Sequence, residues 1–168
     1  VLRTKGGSAI LFFKEDAKDH LKFISPSRCS TGEIYYVEST GDYFMFLGSD
    51  DYLGTDLFEK LYGHIQAVGM FPDMIAFRTR VVLEDGSVAG VEQQTRFDSV
   101  RFYQGLLKEF IEKDPEYAAI YSVRDTSRCY KTALLGDTRY FGKTGIDADG
   151  IFSCLICHKA RSFLNLPV

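Results

Sequence analysis

The chain has 168 residues, with 20 Lys+Arg against 23 Asp+Glu for a net charge of −3, and 45% of its residues are hydrophobic. That length and balance describe about one globular domain able to bury a core without disulfides, and they exclude a disordered polyelectrolyte. The acidic balance, with no Lys/Arg run, excludes the basic stripe a nucleic-acid partner needs, and no apolar run approaches the ~20 residues of a membrane span.

With 14 Phe, 10 Tyr and no Trp, the core is expected to be aromatic. The cysteines at 29, 129, 154 and 157 read as reduced thiols of a cytoplasmic protein. No signal-peptide pattern opens the chain, and a start at Val1 rather than Met leads us to expect residues upstream.

Ala9–Phe13 is an apolar run ending in Lys14, Glu15 and Asp16, which reads as a buried strand whose polar end opens a site. Leu21–Ile24 is a second short strand, halted at Ser25-Pro26, and Ile34–Val37 suits either a strand or one turn of helix. Tyr43–Leu47 is apolar throughout. A run apolar on both faces suits a central strand covered by helices on each side. Asp56 is placed to cap the next helix and Glu59 to complete a capping box. Leu57, Leu61, Ile65 and Val68 form its apolar stripe, and Gly69 and Pro72 end it. Met74–Leu83 predicts a strand, Asp85-Gly86 a hairpin turn and Val88–Val91 the return. Asp98 predicts the cap of a second helix, with Tyr103, Leu106, Leu107, Phe110 and Ile111 inward and Pro115 as its stop. Gly150–Arg161 predicts the last helix and Phe163–Val168 the last strand. Strands and helices taken by turns indicate an α/β fold.

Gly48-Ser49-Asp50-Asp51 follows directly on the apolar strand. In an open α/β sheet the carboxyl ends of strands border the ligand crevice. Two adjacent carboxylates there repel each other, and a cation beside them keeps both ionised. Hard oxygen ligands of this kind suit Mg²⁺ or Mn²⁺. A solvated turn followed by a helix cap is the plain alternative.

The stretch GDYFMFLGSDDYLGTDLFEKLY resembles the signature of family-two glycosyltransferases of the GT-A fold, in which a hydrophobic strand ends in Asp-x-Asp-Asp before a helix. PDMIAF resembles that family's next strand, SRCYKTALL its strand-and-helix segment before the catalytic acid, and YFGKTGIDADGIF the segment carrying that acid. The resemblance covers roughly residues 21 to 166. It implies an α/β, GT-A-like (Rossmann-like) mixed sheet flanked by helices, as a single domain over residues 1–168 that lacks the usual first strand. It also implies transfer of a sugar, with inversion, from a nucleotide-diphospho-sugar donor to the hydroxyl of a carbohydrate or lipid-linked acceptor. The implied cofactor is Mn²⁺ or Mg²⁺, the setting polysaccharide biosynthesis, and the location the cytoplasm or the inner face of a membrane.

Carried over by residue, Asp50 matches the last Asp of Asp-x-Asp, and Asp50 with Asp51 is the implied metal site. Asp50, Glu15 and Asp16 are the implied donor-binding acids. Asp149 matches the general base, with Phe152 three residues later, and Asp147 stands close enough to share that role. Gly48 replaces the first acid of the motif and Ala148 the usual Glu. No strand of the type V-S-V-I-I-P opens the chain; Ala9–Phe13 stands where the family's second strand would. Two other readings stay open: a non-catalytic relative acting as a binding or scaffold module, and a metal-dependent phosphotransfer or hydrolysis enzyme using Asp50 and Asp51.

Cys154-Leu-Ile-Cys157-His158 has the spacing of c-type haem attachment, but helical spacing of three puts both thiols on one buried face, which favours core packing. Asp147-Ala-Asp149-Gly150 lacks the acids an EF-hand needs, since Gly145 and Ile156 occupy those positions. His64 lies off the apolar stripe of its helix and is expected at solvent.

Overall fold

The computed structural model describes residues 2–3, 9–13, 22–24, 34–36, 42–47, 51–91, 98–119, 121, 127–141 and 148–168, with side chains at 42–47, 51–90, 98–119, 121, 127–138 and 150–168. In chain order the elements are β1 (Leu2–Arg3), β2 (Ala9–Phe13), β3 (Lys22–Ile24), β4 (Ile34–Tyr36), β5 (Tyr43–Leu47), β6 (Tyr52–Leu53), α1 (Leu57–Val68), β7 (Met74–Phe77), β8 (Arg80–Val82), β9 (Val88–Val91), β10 (Arg101–Gln104), α2 (Leu107–Lys113), α3 (Pro115–Ala119), β11 (Arg128–Lys131), β12 (Arg139–Phe141), α4 (Ala148–Lys159) and β13 (Ser162–Leu166).

A seven-stranded mixed sheet has the order β10-β13-β7-β11-β5-β2-β3. β13 and β7 are parallel, and the other neighbouring strands are antiparallel. β5, β7 and β13 therefore run in one direction, with β11 inserted between β5 and β7 in the opposite one.

Side-chain alternation along these strands divides the core in two. Phe44, Phe46, Met74, Ala76, Tyr130 and Phe163 face one way and meet Phe110 of α2, Tyr117 of α3, and Phe152 and Ile156 of α4. Tyr43, Met45, Leu47, Ile75, Phe77, Cys129, Leu164 and Leu166 face the other way and meet Leu57, Leu61 and Ile65 of α1. β5 is buried at every position because helices cover both faces, which is why YFMFL has no polar residue. The expected aromatic core forms on the first face: Phe44 stacks on Tyr130 at 5.2 Å, and Phe163 meets Tyr121 edge-on at 5.1 Å.

α1 follows its predicted stripe, and Gly69 closes it at φ 74°, donating its N–H to the carbonyls of Ile65 and Gln66. Burying Leu61 and Ile65 contributes about 1.5–3 kcal/mol each. The capping box does not form. Asp56 makes no side-chain cap bond; its carboxylate pairs with Lys60 at 2.8 Å instead. The Asp85-Gly86 turn is as read, with Asp85 Oδ1 accepting the Ser87 N–H at 2.8 Å and Gly86 at φ 83°.

Three expectations need correction. The Met74–Leu83 run splits into β7 and β8, because Arg78 N–H turns to the Val168 carbonyl and the chain leaves the sheet for a separate hairpin of β8 with β9. The helix expected after Asp98 begins only at Leu107; Arg101–Gln104 are a strand instead, paired with β13. Tyr103 still reaches Phe110, stacking at 4.7 Å, but from a strand, and Leu106 and Ile111 are exposed. α2 ends before Pro115, which opens α3, a first-turn position where proline loses no hydrogen bond. Ile34–Tyr36 resolves as a strand, paired with β12. His64 is half-buried.

Candidate functional site

Strand direction decides which segments meet. α4 ends beside the residue that precedes β7: Arg161 N–H donates to Asp73 Oδ2 at 2.7 Å, and Asp73 N–H donates to Ser162 Oγ at 2.8 Å. α4 thus closes at the amino ends of β7 and β13 and opens at their carboxyl ends. The contact of Phe152 with Phe46, 5.2 Å between ring centroids, fixes the early part of α4 over the carboxyl-terminal half of β5. The carboxyl end of β5 at Leu47 and the first turn of α4 therefore lie on one edge of the sheet.

The residues expected to carry chemistry fall on this edge unequally. Asp51, four residues after Leu47, is exposed. Asp149 is the second residue of α4 by backbone position. Asp50, Asp147, Glu15 and Asp16 lie outside the described residues, as does Gly48. The strand before Glu15 and Asp16 runs against β5: Ala9 pairs with Leu47 and Phe13 with Tyr43. β2 consequently ends at the amino end of β5, away from Leu47.

β11 adds residues that were not anticipated. It runs antiparallel to β5, so its first residue stands at the same edge, and the pairing of Tyr130 with Phe44 puts Arg128 level with Phe46. Arg128 is only 1% exposed. Its Nη1 donates to Ser153 Oγ at 3.4 Å, and the hydroxyls of Tyr130 and Ser153 share a hydrogen bond at 3.3 Å. Ser127, immediately before, has φ 59°, a left-handed conformation uncommon for a residue with a side chain, and its carbonyl accepts the Phe77 N–H at 3.1 Å.

A second polar group lies beneath. The Tyr121 hydroxyl bonds to Asn165 Oδ1 and to the Leu164 carbonyl, and Asn165 Nδ2 donates to the Tyr117 carbonyl at 3.0 Å. Cys157 donates its thiol to the Tyr121 carbonyl at 2.9 Å. Burial pushes the Cys157 thiol up to about 12, with the Arg128 charge opposing it. Burial likewise holds the Tyr121 phenol well above its ordinary range.

Sequence reasoning missed Arg128, Ser153 and Asn165. The signal for Arg128 was its alternation with Tyr130, which turns an arginine to the same buried face as an aromatic. The Cys154–Cys157 pair is corrected: Cys154 is exposed and Cys157 buried, so the two thiols do not share one buried face. Among the described residues, no group of three or more His, Cys, Asp or Glu side chains converges as a metal cluster. The exposed carboxylate of Asp51 is a hard oxygen donor of the type Mg²⁺ and Mn²⁺ take. Among the described residues no helix is long and apolar enough to cross a membrane. No protein-family model and no curated protein sequence matches the chain.

Proposed function

We propose that the chain is a GT-A-like glycosyltransferase domain that moves a sugar, with inversion, from a nucleotide-diphosphate donor to an acceptor hydroxyl. One observation supports the reading: the carboxyl end of β5 at Leu47 and the opening turn of α4, which precede and carry the implied metal and base residues in the sequence, lie on one edge of the sheet. Three of the segments that resemble the family, YFMFL, PDMIAF and SRCYK, also supply three adjacent strands, β5, β7 and β11.

In this reading Asp50 and Asp51 hold Mn²⁺ or Mg²⁺, which supplies Lewis-acid stabilisation of a diphosphate leaving group when bound. Asp149, with Asp147 beside it, takes the proton of the acceptor hydroxyl while its oxygen bonds to C1 of the sugar and the C1–O bond to the diphosphate breaks. A carboxylate at the start of a helix is favoured as the anion by the helix dipole. The acceptor is a carbohydrate or a lipid-linked saccharide.

A second reading, a GT-A-like binding or scaffold module without catalysis, is favoured by Gly48 in place of the first motif acid and by β2 ending at the amino end of β5. Thermal unfolding with nucleoside diphosphates, with and without Mn²⁺, separates the two. The transferase reading expects a rise in Tm only when nucleotide and Mn²⁺ are both present. A rise with nucleotide alone, or no rise, favours the module.

A further inference from the structure

The hairpin leaves the seven-stranded sheet, and among the described strands β8 and β9 pair only with each other. It carries apolar residues in the open: Val81, Leu83 and Val88 are 49%, 51% and 57% exposed. A lone two-stranded hairpin is marginal in water, and three or more strands with an apolar face make such a unit stable. The open backbone groups of an apolar edge strand also invite another strand to pair with it.

The backbone shows which groups are open. Leu83 spends both of its own on the turn: its N–H donates to the Ser87 carbonyl at 2.9 Å, and its carbonyl accepts the Gly86 N–H at 2.9 Å. Successive residues of an antiparallel strand direct these groups to opposite sides, so those of Val82 point away from β9. The irregularity of the hairpin falls on β9. Val81 stands opposite Gly90 and Val82 opposite Val88, so Ala89 is the extra residue and β8 stays regular.

Charge names the occupant of this edge. From Arg80 to Glu84 the chain reads cation, Val81, Val82, Leu83, anion. Turned about a two-fold axis through Val82, the segment meets itself with every pair matched: Arg80 against Glu84, Val81 against Leu83, Val82 against Val82. A slip of one residue sets Arg80 against Leu83 and loses both charge pairs. Arg80 and Glu84 are exposed. Asp56 is held below the usual carboxylate range chiefly by Lys60, 2.8 Å away, with Arg80 the smallest contributor. Asp85 turns its carboxylate back on Ser87, accepting the N–H at 2.8 Å and the hydroxyl at 2.6 Å, which leaves Glu84 as the acid opposite Arg80.

We propose that β8 is the seam of a homodimer. Two copies join antiparallel along this edge. Val82 exchanges two backbone hydrogen bonds with Val82 of the second copy on the two-fold axis, and Arg80 faces Glu84 of that copy on either side. The two hairpins then form one four-stranded sheet, with Val81 and Leu83 of both copies joined on one face. The dimer goes beyond the transferase reading and does not depend on it.

Sedimentation velocity on the chain from about 1 to 200 µM tests it, since an interface of this small size is expected to give a micromolar Kd. Arg80→Glu or Glu84→Arg sets like charges opposite each other twice in the dimer and is expected to raise Kd by about tenfold or more. Combining the two substitutions restores the pairs and is expected to return Kd to within about threefold of the wild type. Both side chains are exposed, so the variants are expected to keep the wild-type Tm. Amide exchange by NMR on the wild type gives a second readout: exchange of the Val82 N–H is expected to slow as protein concentration rises, in step with dimer formation. A chain that stays monomeric throughout overturns the seam and leaves the edge to a strand of another protein. A dimer indifferent to the single reversals, a double variant no tighter than the singles, or a Val82 amide whose exchange ignores concentration overturns it as well.

Discussion

Phe46 of β5 and Phe152 of α4 meet edge to face, their ring centroids 5.2 Å apart and their planes at 89°. This contact ties the strand that precedes Asp50 and Asp51 in the sequence to the helix that begins at Ala148. Phe152 also meets Phe44 at 6.3 Å and Tyr130 at 5.8 Å, so one ring fixes α4 against two adjacent strands.

Phe152→Ala should therefore destabilise the protein by about 3–5 kcal/mol, the usual cost of removing a buried phenylalanine. Urea denaturation measures it. A loss under about 1 kcal/mol would mean that α4 is not held by this contact.

Gly105 is a second structural constraint. It sits at φ 143°, and a Cβ there would lie 2.6 Å from Glu109 Oε2 and 2.8 Å from the Tyr103 hydroxyl. Glu109 Oε2 accepts the Leu106 N–H at 2.9 Å, so displacing that carboxylate also releases the start of α2. Gly105→Ala is expected to cost roughly 1–3 kcal/mol, combining backbone strain with the lost bond, seen as a lower midpoint in denaturation.

How far the fold could be read in advance depended on whether local pattern and tertiary pairing agreed. β5 and α1 were legible because each carries its own signal, a run apolar on both faces and a stripe with a left-handed glycine at its end. Arg101–Gln104 was misread because its partner, β13, lies some 60 residues further on, and pairing across that distance leaves no mark in a local window. β8 was misread for a related reason: the carbonyl of Val168, at the far end of the chain, captures Arg78 N–H and ends β7. Of the site, Asp51 was legible as an acid after a strand. Arg128 was not, because a single arginine beside Cys129 and Tyr130 looks like an ordinary strand end until β5 and α4 close over it.

The buried thiols set an alkaline limit to stability. Burial raises Cys157 from 9.0 to about 12 in the folded protein and raises Cys129 as well. A folded pKa above the unfolded one means that the folded chain keeps protons the unfolded chain releases. This stability is fully present below about pH 9 and is lost as pH rises toward 12, at about 1.4 kcal/mol per pH unit for each thiol. Denaturation midpoints should fall steadily above pH 9, and Cys157→Ala should make that fall shallower. In the same experiment a thiol-alkylating reagent should label Cys154, which is exposed, and spare Cys129 and Cys157 until the protein unfolds.

Removing Asp50 tests the proposed metal site. Asp50→Ala should abolish any Mn²⁺-dependent rise in Tm with a nucleoside diphosphate while leaving the Tm of the protein alone nearly unchanged, since β5 is held by its buried faces and not by the residues that follow it. Asp51→Ala should weaken the same response. A Mn²⁺ effect that survives both substitutions would move the metal elsewhere.

Asp149→Asn addresses the proposed base directly. The substitution keeps the size of the side chain and removes its capacity to accept a proton, so chemistry should suffer and donor binding should not. Loss of a general base lowers rates by about 10²–10⁴-fold, and kcat for sugar transfer should fall within that range at an unchanged donor Kd. Asp147→Asn should have the smaller effect, because Asp149 and not Asp147 matches the implied general base, with Phe152 three residues later. The Asp149→Asn enzyme should also lose the acid limb of its pH–rate profile, since no carboxylate remains there to be protonated. A collapse of donor binding, or a rate within threefold or so of wild type, would remove Asp149 from the base role.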